Sequence, residues 1–213
     1  MEEIKEKIEK SLFHVLRPGR YWGNEINAVH KDADKVDISF VLAFPDLYEI
    51  GMSHIGFSIL YHVLNREEWI SCERVYSPWI DMEEELLKKD IPLFSLESKK
   101  PVKDFDVLGI TLQYELQYTN VLNLLSLADI PVLSEDRNGN HPVVIAGGPC
   151  ALNPEPMADF IDAFVIGDGE EVAVELVEKI RDGKKNENSR ETILRAIAIG
   201  LPQLYLASQF YAS

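Results

Sequence analysis

Cysteine is nearly absent from this chain: Cys72 and Cys150 are far apart and form no Cys-x-x-Cys pair. Two isolated thiols argue against a disulfide framework and fit a reducing cytoplasm. They also cannot supply the three thiolates that a four-iron cluster with one open iron requires. Long apolar runs are missing as well. No stretch approaches the roughly 20 residues needed to span a bilayer, and the charged opening MEEIKEKIEK is no secretory signal. Positive charge is scarce: 21 Lys and Arg face 36 Asp and Glu, for a net charge of −15. A surface this acidic repels nucleic acid and anionic membranes. No P-loop and no Gly-x-Gly-x-x-Gly occurs. Gly167 and Gly169 lack the third glycine, and Glu170 and Glu171 beside them would repel a pyrophosphate. No Ser-His-Asp arrangement can be placed, and His14, His30, His62 and His141 show no metal-ligand spacing.

What the chain does have is most concentrated between Val143 and Ile180. Val143 to Ala146 is an apolar run ended by Gly147-Gly148-Pro149. Ala163 to Ile166 is a second, ended by Gly167-Asp168-Gly169. Runs of this length without polar alternation suit parallel strands covered by helices on both faces. Further strands are expected at Val36 to Phe44, Ser71 to Tyr76, Leu93 to Leu96 and Val107 to Leu112, with Leu204 to Leu206 as a last candidate. Helical spacing fills the intervals. Glu2 to Leu16 is amphipathic, Ser53 is placed to cap a helix reaching Asn65, and Asp81 one reaching Lys89. A further helix is expected from Leu116 to Ala128, one after Gly169, and one from Arg190 to Ile199 beyond a polar linker at Gly183 to Ser189. Trp22 and Tyr21 are expected to be buried.

Strands alternating with helices imply right-handed crossovers and a doubly wound, mostly parallel α/β sheet of the flavodoxin-like (Rossmann-like) kind. Residues 1–34 read as a helical and irregular extension of a single domain over residues 35–213. In such sheets ligands lie at the carboxyl ends of the strands, where the glycine turns fall. The residues expected there are Asp46, Tyr48 and Gly51 after the first strand, Thr111 and Gln113 after the central one, and Gly147, Gly148, Pro149, Gly167 and Gly169.

The same blocks resemble a family. Gly147-Gly148-Pro149, then Pro154-Glu155, then an apolar strand, then Gly167-Asp168-Gly169-Glu170, are similar to the cobalamin-binding-type domain at the front of many radical S-adenosylmethionine (radical SAM) enzymes. Asp168 departs from the family's usual Glu. RPGRYWGNEINAV (Arg17 to Val29) and FPDLYEIGMSHIGFSILYHVLN (Phe44 to Asn65) resemble the opening blocks of one subgroup. The resemblance covers nearly all of the chain from Leu16 onward.

The resemblance implies an accessory domain that binds a corrinoid, or caps the active site, beside a radical SAM barrel of the same longer protein. The iron–sulfur cluster and S-adenosylmethionine would belong to that barrel, and the segment from Leu204 to the end is similar to one that precedes it. Two other readings stay open: a degenerate scaffold that only docks, and a stand-alone flavodoxin-like binding protein. Some cobalamin domains carry an axial histidine in Asp-x-His-x-x-Gly. Around His54 the pattern is broken, with Met52 and Phe57 at the flanking positions and Gly56 one place early. His54 is therefore not expected to ligate cobalt. Gly148→Val is expected to block a ligand while leaving the fold largely intact.

Overall fold

The computed structural model describes residues 2–206. The sheet runs in the order β2-β1-β3-β4-β5-β6, with β1 at Ile38–Phe44, β2 at Ile70–Tyr76, β3 at Val107–Thr111, β4 at Val143–Gly147, β5 at Ala163–Val165 and β6 at Leu204–Leu206. The first five strands pair in parallel, and β6 returns antiparallel along β5. The four apolar runs at 36–44, 107–112, 143–146 and 163–166 are thus neighbouring strands, as their lack of polar alternation requires. The architecture is the doubly wound, flavodoxin-like α/β fold read from the sequence.

Two helical layers cover the sheet. One holds α1 (Glu2–Leu12), α5 (Ile80–Lys89) and α6 (Tyr118–Leu127); the other holds α4 (Ile55–Arg66), α7 (Gly169–Lys185) and α8 (Arg190–Gly200). Alternate residues of each strand feed the two cores. Val41, Leu108 and Val144 face the first layer; Phe40, Leu42, Val107 and Ile145 face the second. The short helices α2 (Gly19–Trp22) and α3 (Tyr48–Met52) complete the set. The amphipathic face of α1 packs through Ile8 and Leu12 into the first core, beside α5.

Several local expectations are corrected. No strand forms at 93–96: Phe94 makes a single antiparallel bridge to Pro101, and the segment instead runs along the β2 edge, with Leu96 N–H donating to the Arg74 carbonyl at 2.7 Å. The cap of α4 is His54, not Ser53, whose hydroxyl bonds back to the Ile50 carbonyl. Trp79 occupies the N-cap of α5; Asp81 sits inside the first turn and accepts from the Met82 and Leu16 amides. A 3₁₀ turn, Glu115–Gln117, precedes α6, and α7 extends into the expected linker as far as Lys185, leaving 186–189 to connect to α8. Trp22 is 57% exposed, because its backbone rather than its ring is held, by Lys99. The last strand candidate does pack on the domain, as β6; residues 207–213 of that segment lie outside the described residues.

β2 is an edge strand, yet all seven of its residues are buried. Side chains seal its free edge. Asn65 accepts from the Cys72 amide at 3.1 Å and donates to the Cys72 carbonyl at 2.9 Å, as a neighbouring strand would. Lys31 donates to the carbonyls of Asn65, Glu67 and Ile70. Glu97 accepts from the Arg74 amide at 2.7 Å and from its guanidinium at 2.6 Å. Glu25 reaches the same guanidinium at 2.8 Å, and Arg74 stacks on Tyr61. These side chains act as a latch over the sheet edge: the Arg17 to Val29 block contributes Glu25, while Asn65, Lys31 and Glu97 satisfy backbone groups that would otherwise template aggregation.

Candidate functional site

A cleft of about 250 Å³ lies on the second face of the sheet, between α4 and α7, and opens at the carboxyl ends of the strands. Strand register explains why space exists there. On this face Leu42, Gly109 and Ile145 form one row, and Thr111 and Gly147 the next row toward the mouth. Gly147 presents no side chain to this face, which leaves the space toward the mouth open, while the Phe40 ring lies closely over Gly109. Phe57, Leu60 and Leu64 of α4 and Ala173 and Leu176 of α7 make the opposing wall. A glycine inside a central strand is the sequence signal for such a close approach, and it was present at Gly109.

Of the ten residues singled out from the sequence, Thr111, Gln113, Gly147, Gly148, Gly167 and Gly169 line this cleft. Thr111 spends its hydroxyl on the Ala43 carbonyl at 3.2 Å. The Gln113 amide donates to the Gln117 side chain at 3.0 Å, which fixes the turn after β3. The other four sit elsewhere. Asp46 accepts from the Leu47 amide and from the Tyr114 hydroxyl, bridging the turns after β1 and β3. Tyr48 donates to Glu25 at 2.8 Å and belongs to the latch; burial, then the Glu25 contact, push its pKa up to about 12. Gly51 lies against the Tyr76 ring, where an added Cβ would come within 2.4 Å. Pro149 opens the 3₁₀ turn after β4. Sequence reasoning missed Phe40, Leu42, Gly109, Ile145 and Val165, whose signal is the period of two along each strand, and the α4 and α7 wall.

The glycines at the mouth are not equivalent. Gly148 has φ of +103°, and an added Cβ would approach the Leu112 carbonyl oxygen at 2.7 Å. The expectation that Gly148→Val spares the fold is therefore corrected: this position is required by the backbone itself. Gly147 has no such constraint. The nearest atoms to an added Cβ are those of Val165 at 3.8 Å, so a side chain there would grow into the cleft.

His54 stands on the rim. Its Nδ1 accepts from the Phe57 amide at 3.2 Å as the cap of α4. An Nδ1 that accepts is unprotonated, so the neutral ring carries its proton on Nε2. In this arrangement Nε2 offers a hydrogen bond, not a lone pair for a metal. The lip carries Asp168 and Glu170, and none of the lining residues is Lys or Arg. A pyrophosphate would find no cationic partner. The cleft instead suits an apolar, uncharged group.

Other charged clusters serve the fold. Asp162, fully buried, accepts from Arg137, Arg190 and the Val144 amide at the amino end of the sheet, away from the mouth. Burial raises the pKa of Asp162, opposed by both guanidinium groups. Cys72 is fully buried and its thiol is pushed well up by burial. Among the described residues no group of three or more His, Cys, Asp or Glu could hold a metal ion, and no helix is long and apolar enough to cross a membrane.

Residues 56–206 match the family described as radical SAM proteins, N-terminal. The chain belongs to that family. An uncharacterized protein of Methanocaldococcus jannaschii is 32% identical over 95 residues, covering 42% of this chain and 19% of its own length. The chain thus spans about a fifth of that relative. A radical SAM N-terminal domain is an accessory domain of a radical SAM protein. The match begins inside α4 and includes β2 to β6, so the cleft's glycines and its α7 wall lie within it.

Proposed function

We propose that this radical SAM N-terminal domain binds a corrinoid at the carboxyl edge of its sheet, with the cofactor's nucleotide tail in the cleft, and presents it to a radical SAM domain of the same longer protein. The observation that carries this reading is the cleft over Gly147, between the sheet and α4 and α7. It is mostly apolar and open at the strand ends, in a chain of this family. The lining fits the apolar base of such a tail, and its phosphate would have to stay in solvent beyond Asp168 and Glu170. Phe57, Leu60 and Leu176 would cover the faces of a flat base, Gly147 would let the sheet approach it, and the His54 Nε2–H and the Gln113 side chain would serve polar atoms at the mouth. When bound, a corrinoid supplies a cobalt centre that carries an alkyl group. This chain's own residues would bind the tail, orient the macrocycle over the mouth and exclude water from the slot.

A second observation supports the docking half of the proposal. The turns that follow β1 to β4 expose apolar side chains at the same edge: Ile50, Ile55, Trp79, Ile80, Leu116 and Leu152 are 43–83% exposed. Apolar groups gathered around a mouth mark an interaction surface. The occupant consistent with the family is the radical SAM domain, which would close the cleft from above. The scaffold reading keeps this surface and omits the cofactor.

Titration of the 213-residue chain and of its longer parent with hydroxocobalamin tests the proposal. The expected result is a shift of the visible spectrum that is lost in Gly147→Val and kept in His54→Ala. Loss with His54→Ala and retention with Gly147→Val would overturn the assignment of the slot. A folded parent protein that leaves the spectrum unchanged would favour the scaffold.

A further inference from the structure

The two helices that wall the cleft are held at its base by one segment of chain. Both α4 and α7 start at the carboxyl edge of the sheet and run down to its amino edge, so their last turns lie farthest from the mouth. Residues 29–37 pass along that end just before β1. The Lys31 ammonium donates to the carbonyls of Asn65 at 2.9 Å, Glu67 at 2.6 Å and Ile70 at 2.5 Å. Asn65 is in the last turn of α4, Glu67 is its C-cap and Ile70 opens β2. The final carbonyls of a helix have no partner within it, and a lysine ammonium offers three donors around one point charge. One turn earlier in α4, the Tyr61 hydroxyl accepts from the Val29 amide at 2.7 Å. At the other end of the segment Asp37 holds α7. Its carboxylate accepts from Lys185, the last residue of α7, at 2.7 Å, and the Arg181 guanidinium stands 4.0 Å away. Arg181 also lies over the Trp69 ring at 4.0 Å, and the Asp37 amide donates to the Trp69 carbonyl at 2.9 Å.

We infer that residues 29–37 are a clasp that fixes the separation of α4 and α7 at the base of the cleft and leaves their mouth ends to part, with Lys31 and Asp37 as its positioning residues. This rests on reading the cleft as the ligand site and adds what holds its walls. Neither residue lines the cleft; each acts through a helix that does. Phe57, Leu60 and Leu64 ride on α4, and Ala173 and Leu176 on α7, so the clasp sets the width between them. The two ends of the cleft differ in kind. Toward the mouth the helices meet through apolar contact: an added Cβ at Gly169 would lie 3.3 Å from Leu60 Cδ2. Apolar contact is non-directional and permits sliding, whereas charge-assisted hydrogen bonds from one ammonium to three carbonyls hold one geometry. The halves of the clasp are unequal. Lys185 and Asp37 form an exposed, water-screened pair, so the α7 half contributes less than the Lys31 contacts to α4.

Pulsed electron paramagnetic resonance reads the two ends separately. In a Cys150→Ser background, nitroxides on Arg66→Cys/Glu178→Cys report the base, and on Ser58→Cys/Glu171→Cys the mouth. All four positions are exposed, and Cys72 is buried. The base pair is expected to give a distance distribution at least twofold narrower than the mouth pair. Lys31→Met keeps the aliphatic stem and removes the ammonium; it should broaden the base distribution at least twofold. Asp37→Ala, on the exposed pair, should broaden it by a smaller factor. Urea midpoints accompany each variant, because a purely structural staple would lower the midpoint and leave the native distances unchanged. A wild-type base no narrower than the mouth, or a folded Lys31→Met whose base distribution matches wild type, would overturn the inference. Should Lys31→Met not fold, an unchanged base distribution in Asp37→Ala overturns it instead. No ligand enters the measurement, so hydroxocobalamin can fail to bind while the clasp holds, and the corrinoid reading and the clasp fall separately.

Discussion

Arg74 and Glu97 are joined twice. The Glu97 carboxylate accepts the Arg74 guanidinium at 2.6 Å and the Arg74 amide at 2.7 Å, with both residues buried at the sheet edge. Burial pushes the Glu97 carboxyl up, against the pull of the guanidinium, while Arg74 remains charged between Glu97 and Glu25. Removing one partner from a buried pair leaves an uncompensated charge. Glu97→Gln is expected to cost near the low end of about 3–5 kcal/mol, because Glu25 still faces the guanidinium. Urea denaturation of wild type and variant measures it. A cost below about 0.5 kcal/mol, the range of an ordinary surface change, would show that the latch does not support the edge.

The glycine pair after β4 should separate stability from binding. Gly148→Ala forces a side chain onto a φ of +103° and toward the Leu112 carbonyl. It is expected to cost about 1–3 kcal/mol, read as a lowered melting temperature. Gly147→Val should leave the melting temperature within a few degrees of wild type and fill the mouth of the slot. The reverse ranking in thermal denaturation would contradict the backbone geometry described for this turn.

Lys99 gives the domain a pH dependence on the alkaline side. Burial lowers its pKa to about 8, although Glu97, Glu25 and Glu73 pull the other way. The folded pKa is below the ordinary lysine value of 10.5. The folded state therefore disfavours the charged form, and this cost is present in full below about pH 8. It fades as pH rises toward the unfolded pKa. Stability from this group is expected to increase between about pH 8 and 10.5. Lys99→Met should flatten that part of a urea-midpoint profile measured against pH. A wild-type profile that the variant reproduces would rule out Lys99 as its source.

The two thiols should differ in access. Cys72 is fully buried and its thiol is pushed well up by burial, whereas Cys150 is half-buried. A maleimide probe is expected to label Cys150 in the native domain and Cys72 only on unfolding. Iron and sulfide added to this chain should leave no stoichiometric four-iron cluster, since three thiolates are required. Iron analysis of the desalted protein checks this, and a stable complement of four irons per chain would refute it.

The sequence by itself determined the sheet and the family. Uninterrupted apolar runs ending in glycine turns specify buried parallel strands, because such runs are stable only between two helical layers. The glycine turns also marked the end of the sheet where the cleft opens, and the paired blocks marked the radical SAM N-terminal family. Only the tertiary structure decided which residues share the cleft. Asp46, Tyr48 and Gly51 follow the same strand, yet they point to a turn bridge, the edge latch and the Tyr76 ring, since direction after a strand end is set by packing rather than by sequence distance. The structure also decided that Gly148 serves the backbone and Gly147 the cleft, a difference of one dihedral angle that glycine's identity does not reveal. The placement of Phe40 over Gly109 depends on strand register across a parallel crossover, and register between segments 67 residues apart in the chain is written in the packing of the sheet, not in either segment alone.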